Sequence, residues 1–352
     1  MSLDSMADIL HCMEQEGKEF WEVVLAADME ERQVSRESSL AKMLTTWQAM
    51  IDASDSYTGD RRSVSGLVGG DGLKMRQYAI RGKAMSGGYV SEVIAEALSM
   101  AESNACMRRI VAAPTAGACG VLPAVLLPLC KYEELNQRQI LEALYVASGI
   151  GAVIAYRACI AGAAGGCQAE IGTASAMAAG ALVALRGGSG QQICHAVAMA
   201  LKNLLGLICD PVAGLVEVPC VKRNVIGAVN AVSAADMALA GIESRIPVDE
   251  VIDTMGEVGP PHPRGVPGDG AGRSGGHSHR QGHRGQNAGL TSRYHEKDAR
   301  GTMYHGHLFH ASRRFYFFSR LSLRRASHVP RLWNSCTSRI RITTATSITR
   351  YL

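Results

Sequence analysis

The chain has 352 residues and a formal net charge of +4, so it is long enough for a large hydrophobic core and for more than one domain. The charge is uneven, because residues 1–259 hold 20 Lys and Arg against 29 Asp and Glu, whereas residues 260–352 hold 16 against 3. Aromatic residues make up only 5%, so Ala, Gly, Leu and Val must fill the core; this disfavours a β-sandwich and predicts a mostly α, compact helical domain rich in Ala and Gly.

The first 20 residues are acidic and mixed in character. They lack the basic, then apolar, then small-residue order of a secretory signal peptide. We therefore expect a cytoplasmic protein whose thiols stay reduced. In that compartment, ten cysteines argue against a disulfide framework.

Helical spacing of apolar residues dominates the N-terminal third of the chain. It predicts acidic amphipathic helices over residues 5–50, on which Ile9, Phe20 and Val24 share the buried face. A glycine-rich turn region follows at residues 65–75, and a further helix is predicted over residues 90–106.

An uncharged stretch of 21 residues, from Ile110 to Cys130, is long enough to span a bilayer. It contains Pro114, Pro123 and Pro128, and no pattern of basic loops flanks it. We therefore expect a buried core segment and no contact with a membrane.

From residue 139 the sequence becomes rich in Ala and helical in pattern. It predicts helices over residues 139–166, 175–185 and 190–206, with Gly206 where a helix C-terminal cap belongs. Small residues allow close approach of helix backbones, so these helices should form a tightly packed unit.

The tail, residues 260–352, has a different composition. It contains 15 Arg and 9 of the 11 histidines, and its apolar periodicity disappears. An out-of-frame coding stretch rich in G and C produces such a sequence; a disordered basic arm that touches nucleic acid is the alternative. We expect the functional domain in residues 1–259, infer no function from the tail, and expect no nucleic-acid partner.

The glycine-rich region at residues 65–75 does not match a phosphate-binding loop. Lys74 follows a leucine, and Met75 stands where a P-loop needs Ser or Thr. A Schiff-base lysine for pyridoxal phosphate is conceivable at Lys74 or Lys83, although a lysine beside glycines more often marks a surface turn.

Three cysteines, in stretches that contain glycine or proline, stand apart from the others, and a fourth, Cys119, lies in the similar stretch PTAGACGVLP. Cys167 follows Gly165 and Gly166, while Cys209 and Cys220 bound the stretch CDPVAGLVEVPC. Five others, which we interpret as small core residues, lie in apolar stretches with a helical pattern: Cys12, Cys106, Cys130, Cys159 and Cys194. The spacing of the first three leaves a cluster ligand set, a disulfide and buried structural thiols as open interpretations.

Four long stretches together closely resemble the alpha chain of the iron–sulfur-dependent bacterial L-serine dehydratases. These stretches are APTAGACGVLPA, AGAAGGCQAEIGTASAMAAGAL, NLLGLICDPVAGLVEVPC and KRNVIGAVNAVSAADMALAG, and SGLVGGDGLKM and SGGYV upstream add to the similarity. The resemblance covers roughly residues 30–259 and is nearly free of gaps.

The resemblance implies that loops of this domain bind a [4Fe-4S] cluster through Cys167, Cys209 and Cys220, which leaves one iron open. It also implies dehydration of L-serine to pyruvate and ammonia, a reaction of amino-acid degradation. Candidate substrate-contacting residues are Ser86, Gly87 and Thr115, each of which can equally stabilise a turn.

The general base that removes the Cα proton is not evident. The only histidines in residues 1–259 are His11 and His195, and the sequence predicts that His195 lies on the surface of a helix. In the family a β domain or separate beta chain carries a Ser-His-Thr-Gly-Pro motif near the active site, and that motif is absent here. The resemblance therefore implies a separate beta subunit as a partner, with L-serine as the substrate.

Two alternatives remain open at this point. The first is a cysteine desulfidase-type lyase that uses similar cluster chemistry. The second is an inactive truncated product with a non-native basic tail, because the glycine- and threonine-rich closing segment of the family is missing after residue 259.

Overall fold

A computed structural model of the chain describes residues 3–258. In that range the chain forms α-helices joined by short turns, with no strand longer than one residue, which confirms the prediction of a mostly α, helical domain. Our expectations for the tail at residues 260–352 lie outside the described residues.

Twelve α-helices are described, with a 3-10 turn at Ala116–Ala118, a π-helical turn at Gln168–Gly172 and a second 3-10 turn at Val212–Gly214. The α-helices are α1 (Met6–Glu16), α2 (Phe20–Arg32), α3 (Arg36–Asp55), α4 (Asp71–Ile80), α5 (Gly87–Ala105), α6 (Val121–Tyr132), α7 (Gln137–Arg157), α8 (Gly162–Cys167), α9 (Thr173–Leu185), α10 (Gly190–Lys202), α11 (Cys220–Leu239) and α12 (Val248–Val258).

The centre of the fold is α9, whose residues 173–183 are all buried. A helix that is apolar on every side must be enclosed by others, and α9 packs against α6, α7, α10 and α11. Small side chains make this possible: a Cβ atom at Gly180 would lie 2.2 Å from Cδ1 of Ile150 on α7. The Ala- and Gly-rich composition thus produces the close helix packing that the sequence predicted.

Two predicted helices end earlier than the sequence indicated. The segment predicted as one helix over 139–166 breaks at Ala158, whose φ and ψ of −130° and −130° are not helical, and α8 begins only at Gly162. Likewise α10 ends at Lys202, and Gly206 lies four residues later with a φ of +83°. Gly206 therefore belongs to the turn after α10 and is not its cap.

The helix α7 is long and apolar enough to cross a membrane by length and composition, and 72% of its apolar window is buried inside the protein. The stretch from Ile110 to Cys130 is not one continuous helix, because a 3-10 turn precedes α6. Both observations indicate that these apolar stretches are buried core segments, as we expected for Ile110 to Cys130.

The glycine-rich region holds the start of α4, which the sequence did not predict as a helix. The buried carboxylate of Glu102 accepts hydrogen bonds from the backbone N–H groups of Asp71 (2.8 Å) and Gly72 (3.3 Å). An anion-binding helix N-terminus is thereby filled by the protein's own carboxylate. This explains why the glycines do not form a phosphate site, and Lys74 simply pairs with Asp71 at 2.9 Å.

Candidate metal centre

The three cysteines lie on three segments that meet beside the first turn of α11. Cys167 is the last residue of α8, Cys209 lies in the turn after α10, and Cys220 begins α11. Cys167 and Cys220 are buried, whereas Cys209 is half-buried. All nine cysteines in residues 3–258 are free thiols, so the disulfide interpretation is wrong for this range.

Gly166 lets the segment of Cys209 approach that of Cys167. Its φ is +79°, and a Cβ atom there would lie 3.1 Å from the carbonyl oxygen of Leu207. Directly beyond, the backbone N–H of Gln168 donates to Leu207 (2.9 Å), and the Gln168 side-chain oxygen accepts from the backbone N–H of Gly206 (2.6 Å). The object that closely approaches Gly166 is thus the chain at residues 207–209.

Arg223, one turn into α11, joins the segments. Its Nη1 lies 2.9 Å from Sγ of Cys167 and 2.8 Å from the carbonyl oxygen of Ile208, while Nη2 donates to Oδ1 of Asp210 at 2.6 Å. The guanidinium is therefore in contact with one thiol and with the residues on either side of a second. The role of this arginine could not be predicted from local sequence, because its partners lie 13 to 56 residues away along the chain.

The thiols interact with one another as well as with Arg223. A hydrogen bond between Cys167 and Cys209 lowers the pKa of the Cys209 thiol and, together with burial, raises that of Cys167. Burial raises the pKa of Cys220 to about 12, with Cys167 as a further cause, while the Arg223 charge lowers it. Because Cys220 begins a 20-residue helix, the helix dipole also favours its thiolate form.

Asn224 fixes the turn at residues 115–120 against the start of α11. Its buried side chain accepts the backbone N–H of Gly120 at 2.9 Å and donates to the carbonyl oxygens of Gly117 (2.7 Å) and Cys220 (3.1 Å). The turn that carries Thr115 is thus held beside Cys220.

A carboxyl group that the sequence analysis missed completes this region. Glu170, on the π-helical turn after Cys167, accepts a hydrogen bond from the Thr115 hydroxyl. Its carboxylate fills the space where a Cβ atom at Gly117 or Gly162 would lie, at 2.6 and 2.8 Å. Burial raises the pKa of Glu170, while hydrogen bonds from Thr115 and the Gly117 backbone lower it, and the net shift is upward. A π-helical turn often marks a functional site, but it leaves no pattern in a sequence. The sequence analysis therefore could not single out Glu170.

The remaining candidates lie apart from the cysteines. Ser86, the N-cap of α5, and Gly87, its first residue, are exposed, and no hydrogen bond of the described residues brings either to a cysteine, so their role stays a prediction. His195 lies on α10, where Nδ1 accepts the backbone N–H of Ser244 at 3.2 Å. This agrees with the structural role expected from the sequence.

Two of the five cysteines expected in helices lie outside them. Cys106 caps the end of α5, and Cys159 lies in the turn between α7 and α8, where its Sγ accepts the backbone N–H of Ala161 at 3.3 Å. Both helices end earlier than their apolar composition suggested. The other three lie on helices as expected: Cys12, Cys130 and Cys194.

Among residues 3–258, no three His, Cys, Asp or Glu side chains converge closely enough to hold a single metal ion. A cubane cluster makes a different demand, because each thiolate binds its own iron atom and the ligands do not converge on one point. The finding therefore concerns a single-ion site only, and a cluster ligand set at Cys167, Cys209 and Cys220 stays a prediction.

We expect Glu170→Gln to change stability in a pH-dependent manner. Since the folded-state pKa lies above the ordinary value of about 4.5, the stability that Glu170 contributes is present at low pH and is lost as pH rises through the folded-state pKa. Thermal unfolding of the cluster-free chain should therefore show the variant gaining stability relative to the wild type as pH rises. Glu142→Gln on α7 is the matched control, and a difference for Glu170→Gln that stays constant with pH would contradict the raised pKa.

Comparison with known proteins places these observations in a family. The family model described as "Serine dehydratase alpha chain" matches residues 15–266. The probable L-serine dehydratase alpha chain of Bacillus subtilis (strain 168) is 47% identical over 238 residues, which cover 68% of this chain and 79% of the relative. The L-serine dehydratase alpha chain of Peptoniphilus asaccharolyticus is 39% identical over 258 residues, or 73% of this chain and 88% of the relative.

A third relative is longer. The L-serine dehydratase TdcG of Escherichia coli (strain K12) is 41% identical over 223 residues, which cover 60% of this chain but only 48% of that protein. The family model spans more than half of the chain, and the first two relatives are matched over most of their length. The chain therefore belongs to the serine dehydratase alpha chain family.

Proposed function

We propose that this chain is the alpha component of an L-serine ammonia-lyase, which dehydrates L-serine and releases pyruvate and ammonia. The observation that carries the proposal is the bridge made by Arg223, which gathers the segments of Cys167 and Cys209 at the turn of α11 that begins with Cys220. Relatives named L-serine dehydratase support the activity.

We further propose that Cys167, Cys209 and Cys220 hold a [4Fe-4S] cluster. Three soft thiolates on separate loops suit iron–sulfur chemistry. When bound, the cluster supplies an iron with an open coordination position, which is a Lewis acid toward the hydroxyl group of serine. Three cysteine ligands agree with that role, because a fourth thiolate would fill the open position.

The chain's own side chains prepare the site for this chemistry. Arg223 places a positive charge 2.9 Å from the Cys167 sulfur, which offsets the negative charge of grouped thiolates and fixes the position of one of them. The Asp210 carboxylate holds the guanidinium in turn. Neither group has to rearrange during turnover, so the ligand positions are set before the substrate arrives.

Glu170 is the chain's candidate for proton transfer to the departing hydroxyl group. Loss of hydroxide is easier when a nearby acid protonates it, and a carboxyl group with a raised pKa holds a proton closer to neutral pH than an ordinary one. Hydrogen bonds from the Thr115 hydroxyl and the Gly117 backbone hold this carboxyl group in place. Thr115 is thus proposed to orient the acid, a role different from the direct substrate contact that the sequence suggested.

The base that removes the Cα proton is proposed to come from a beta subunit. Within residues 3–258, His11 is exposed on α1 and His195 is engaged by Ser244, so neither histidine serves the cysteine region. The match to TdcG leaves about half of that protein without a counterpart here, which supports a second polypeptide. The proposal includes a cytoplasmic location, in keeping with nine free thiols in the described range.

The test is an anaerobic assay of the full chain with its beta partner after reconstitution with iron and sulfide. We expect L-serine to yield pyruvate and ammonia in equal amounts, and activity to disappear on exposure to air. Sulfide release from L-cysteine without pyruvate from L-serine would favour a desulfidase instead. Full serine turnover by iron-free protein would contradict the proposal.

A further inference from the structure

A cleft of about 330 Å³ lies between the end of α4, the first half of α5 and the end of α6. Its lining does not include the three cysteines, Arg223 or Glu170, so it is separate from the candidate metal centre. Charged groups of both signs line it, together with an apolar wall. The polar members are Arg76, Ser91, Glu92, Glu96, Lys131 and Tyr132.

One carboxylate oxygen in this cleft lacks a partner. The side chain of Glu96 is 4% exposed, and its Oε2 accepts a hydrogen bond from Nη2 of Arg76 at 2.8 Å. Its Oε1 is buried and has no hydrogen-bond partner among residues 3–258. Leaving a buried acceptor unsatisfied is unfavourable, and the deficit is larger for a charged group. The cleft therefore presents an acceptor suited to a positively charged donor.

A cationic group lies in the same lining. Lys131 is 66% exposed, and its Nζ is 4.0 Å from Oε2 of Glu92, at the limit of an ion pair. The Tyr132 hydroxyl also reaches Glu92, at a distance of 3.3 Å. Both interactions are long, so Lys131 and Tyr132 remain able to donate to another carboxylate.

The apolar part of the lining comes from Ile80, Ala79, Ala95 and Pro128, of which Ile80 is 84% exposed. A bare monovalent cation would satisfy Glu96 but would leave most of 330 Å³ and this wall without contact. A simple carboxylate would contact Lys131 but would leave Oε1 of Glu96 without a donor. A small molecule with an ammonium group, a carboxylate and a short side chain matches all three features.

We propose that this cleft binds a small α-amino acid, with its ammonium group donating to Oε1 of Glu96 and its carboxylate facing Lys131. The site is a second, non-catalytic one, and it does not depend on the proposed function. Its ligand class includes L-serine, so an amino acid of the same kind as the proposed substrate would be sensed away from the metal centre.

The experiment is calorimetric titration of the full chain, purified without a cluster so that binding at an open iron does not contribute. The probes are L-serine, L-alanine, L-lactate and methylammonium. We expect the two amino acids to bind, whereas L-lactate, which lacks the ammonium group, and methylammonium, which lacks the carboxylate, bind at least about tenfold more weakly.

Glu96→Gln should weaken amino-acid binding at least about tenfold, because an amide cannot neutralise the ammonium charge. Glu142→Gln, outside the cleft on α7, should leave the affinity unchanged. Lys131→Met is the second test, because Lys131 is too exposed for its loss to prevent folding. This substitution should weaken the binding of the amino acids but not that of methylammonium.

Equal amino-acid affinity in the wild type, Glu96→Gln and Lys131→Met, or no amino-acid binding to the wild type, would overturn the proposal. Failure of the serine assay would leave this result unaffected.

Discussion

Cys209→Ser should produce a chain that folds but does not retain iron. Cys209 is half-buried at the surface of the site, so the smaller hydroxyl is accommodated without a core cavity. A serine hydroxyl binds iron more weakly than a cysteine thiolate does. We therefore expect the activity to fall more than ~100-fold, a larger loss than substitutions of residues outside the ligand set usually cause. The measurements are iron and sulfide content after anaerobic reconstitution, visible absorbance, and the rate of pyruvate formation with the beta subunit.

The matched control is Cys130→Ser on α6, a partly buried cysteine with no contact to the site. It should keep iron content and activity, and it shows what the same chemical change does elsewhere in the domain. A Cys209→Ser chain with full iron content and unchanged turnover would remove this cysteine from the ligand set. Cys167→Ser and Cys220→Ser should behave as Cys209→Ser does, although their burial makes a folding check necessary.

Asn224→Ala should be the most destabilising of the polar substitutions near the site. It leaves the backbone N–H of Gly120 and the carbonyl oxygen of Gly117 without partners in a buried region, and each unsatisfied group costs about 1–3 kcal/mol. We expect a loss of about 3 kcal/mol and a fall in the melting temperature of roughly 6–12 °C. Thermal unfolding followed by circular dichroism measures the effect.

Asn203→Ala provides the comparison, because Asn203 makes one exposed side-chain hydrogen bond, at 2.7 Å to Asn230. Surface changes of this kind stay within about 0.5 kcal/mol. The Asn224 variant should also alkylate faster at Cys220 than the wild type, since the anchor of the α11 start is lost. Equal melting temperatures for both variants would show that the turn at residues 115–120 is held by other contacts.

The sequence predicted the helical class and the cysteine set for different reasons. Scarcity of aromatic residues and abundance of Ala and Gly are chain-wide properties, and they lead directly to closely packed helices such as α7 and α9. The special position of Cys167 was visible because glycine precedes it. The choice among cluster, disulfide and structural thiols came from family resemblance and could not come from spacing.

The groups that organise the site could not be predicted in this way. Arg223, Asn224 and Glu170 are ordinary members of helical or near-helical sequence, and their roles depend on partners far along the chain. The predicted ends of two helices were wrong for a related reason. The apolar pattern continues past Ala158 and Lys202, but the backbone leaves the helical conformation at these points and packs against distant parts of the chain. Local pattern identifies an element more reliably than its boundary.

The Arg223 bridge sets an order of events during biosynthesis. Cys167 and Arg223 are 56 residues apart, so an unfolded chain holds the three sulfur atoms at distances that no cluster could span reliably. Under the proposal that these three cysteines bind a cluster, the helices would dock before metal delivery, and colour from the cluster would report that tertiary structure has formed. A scaffold protein that hands over a cluster would find its acceptor only on chains that have already completed folding.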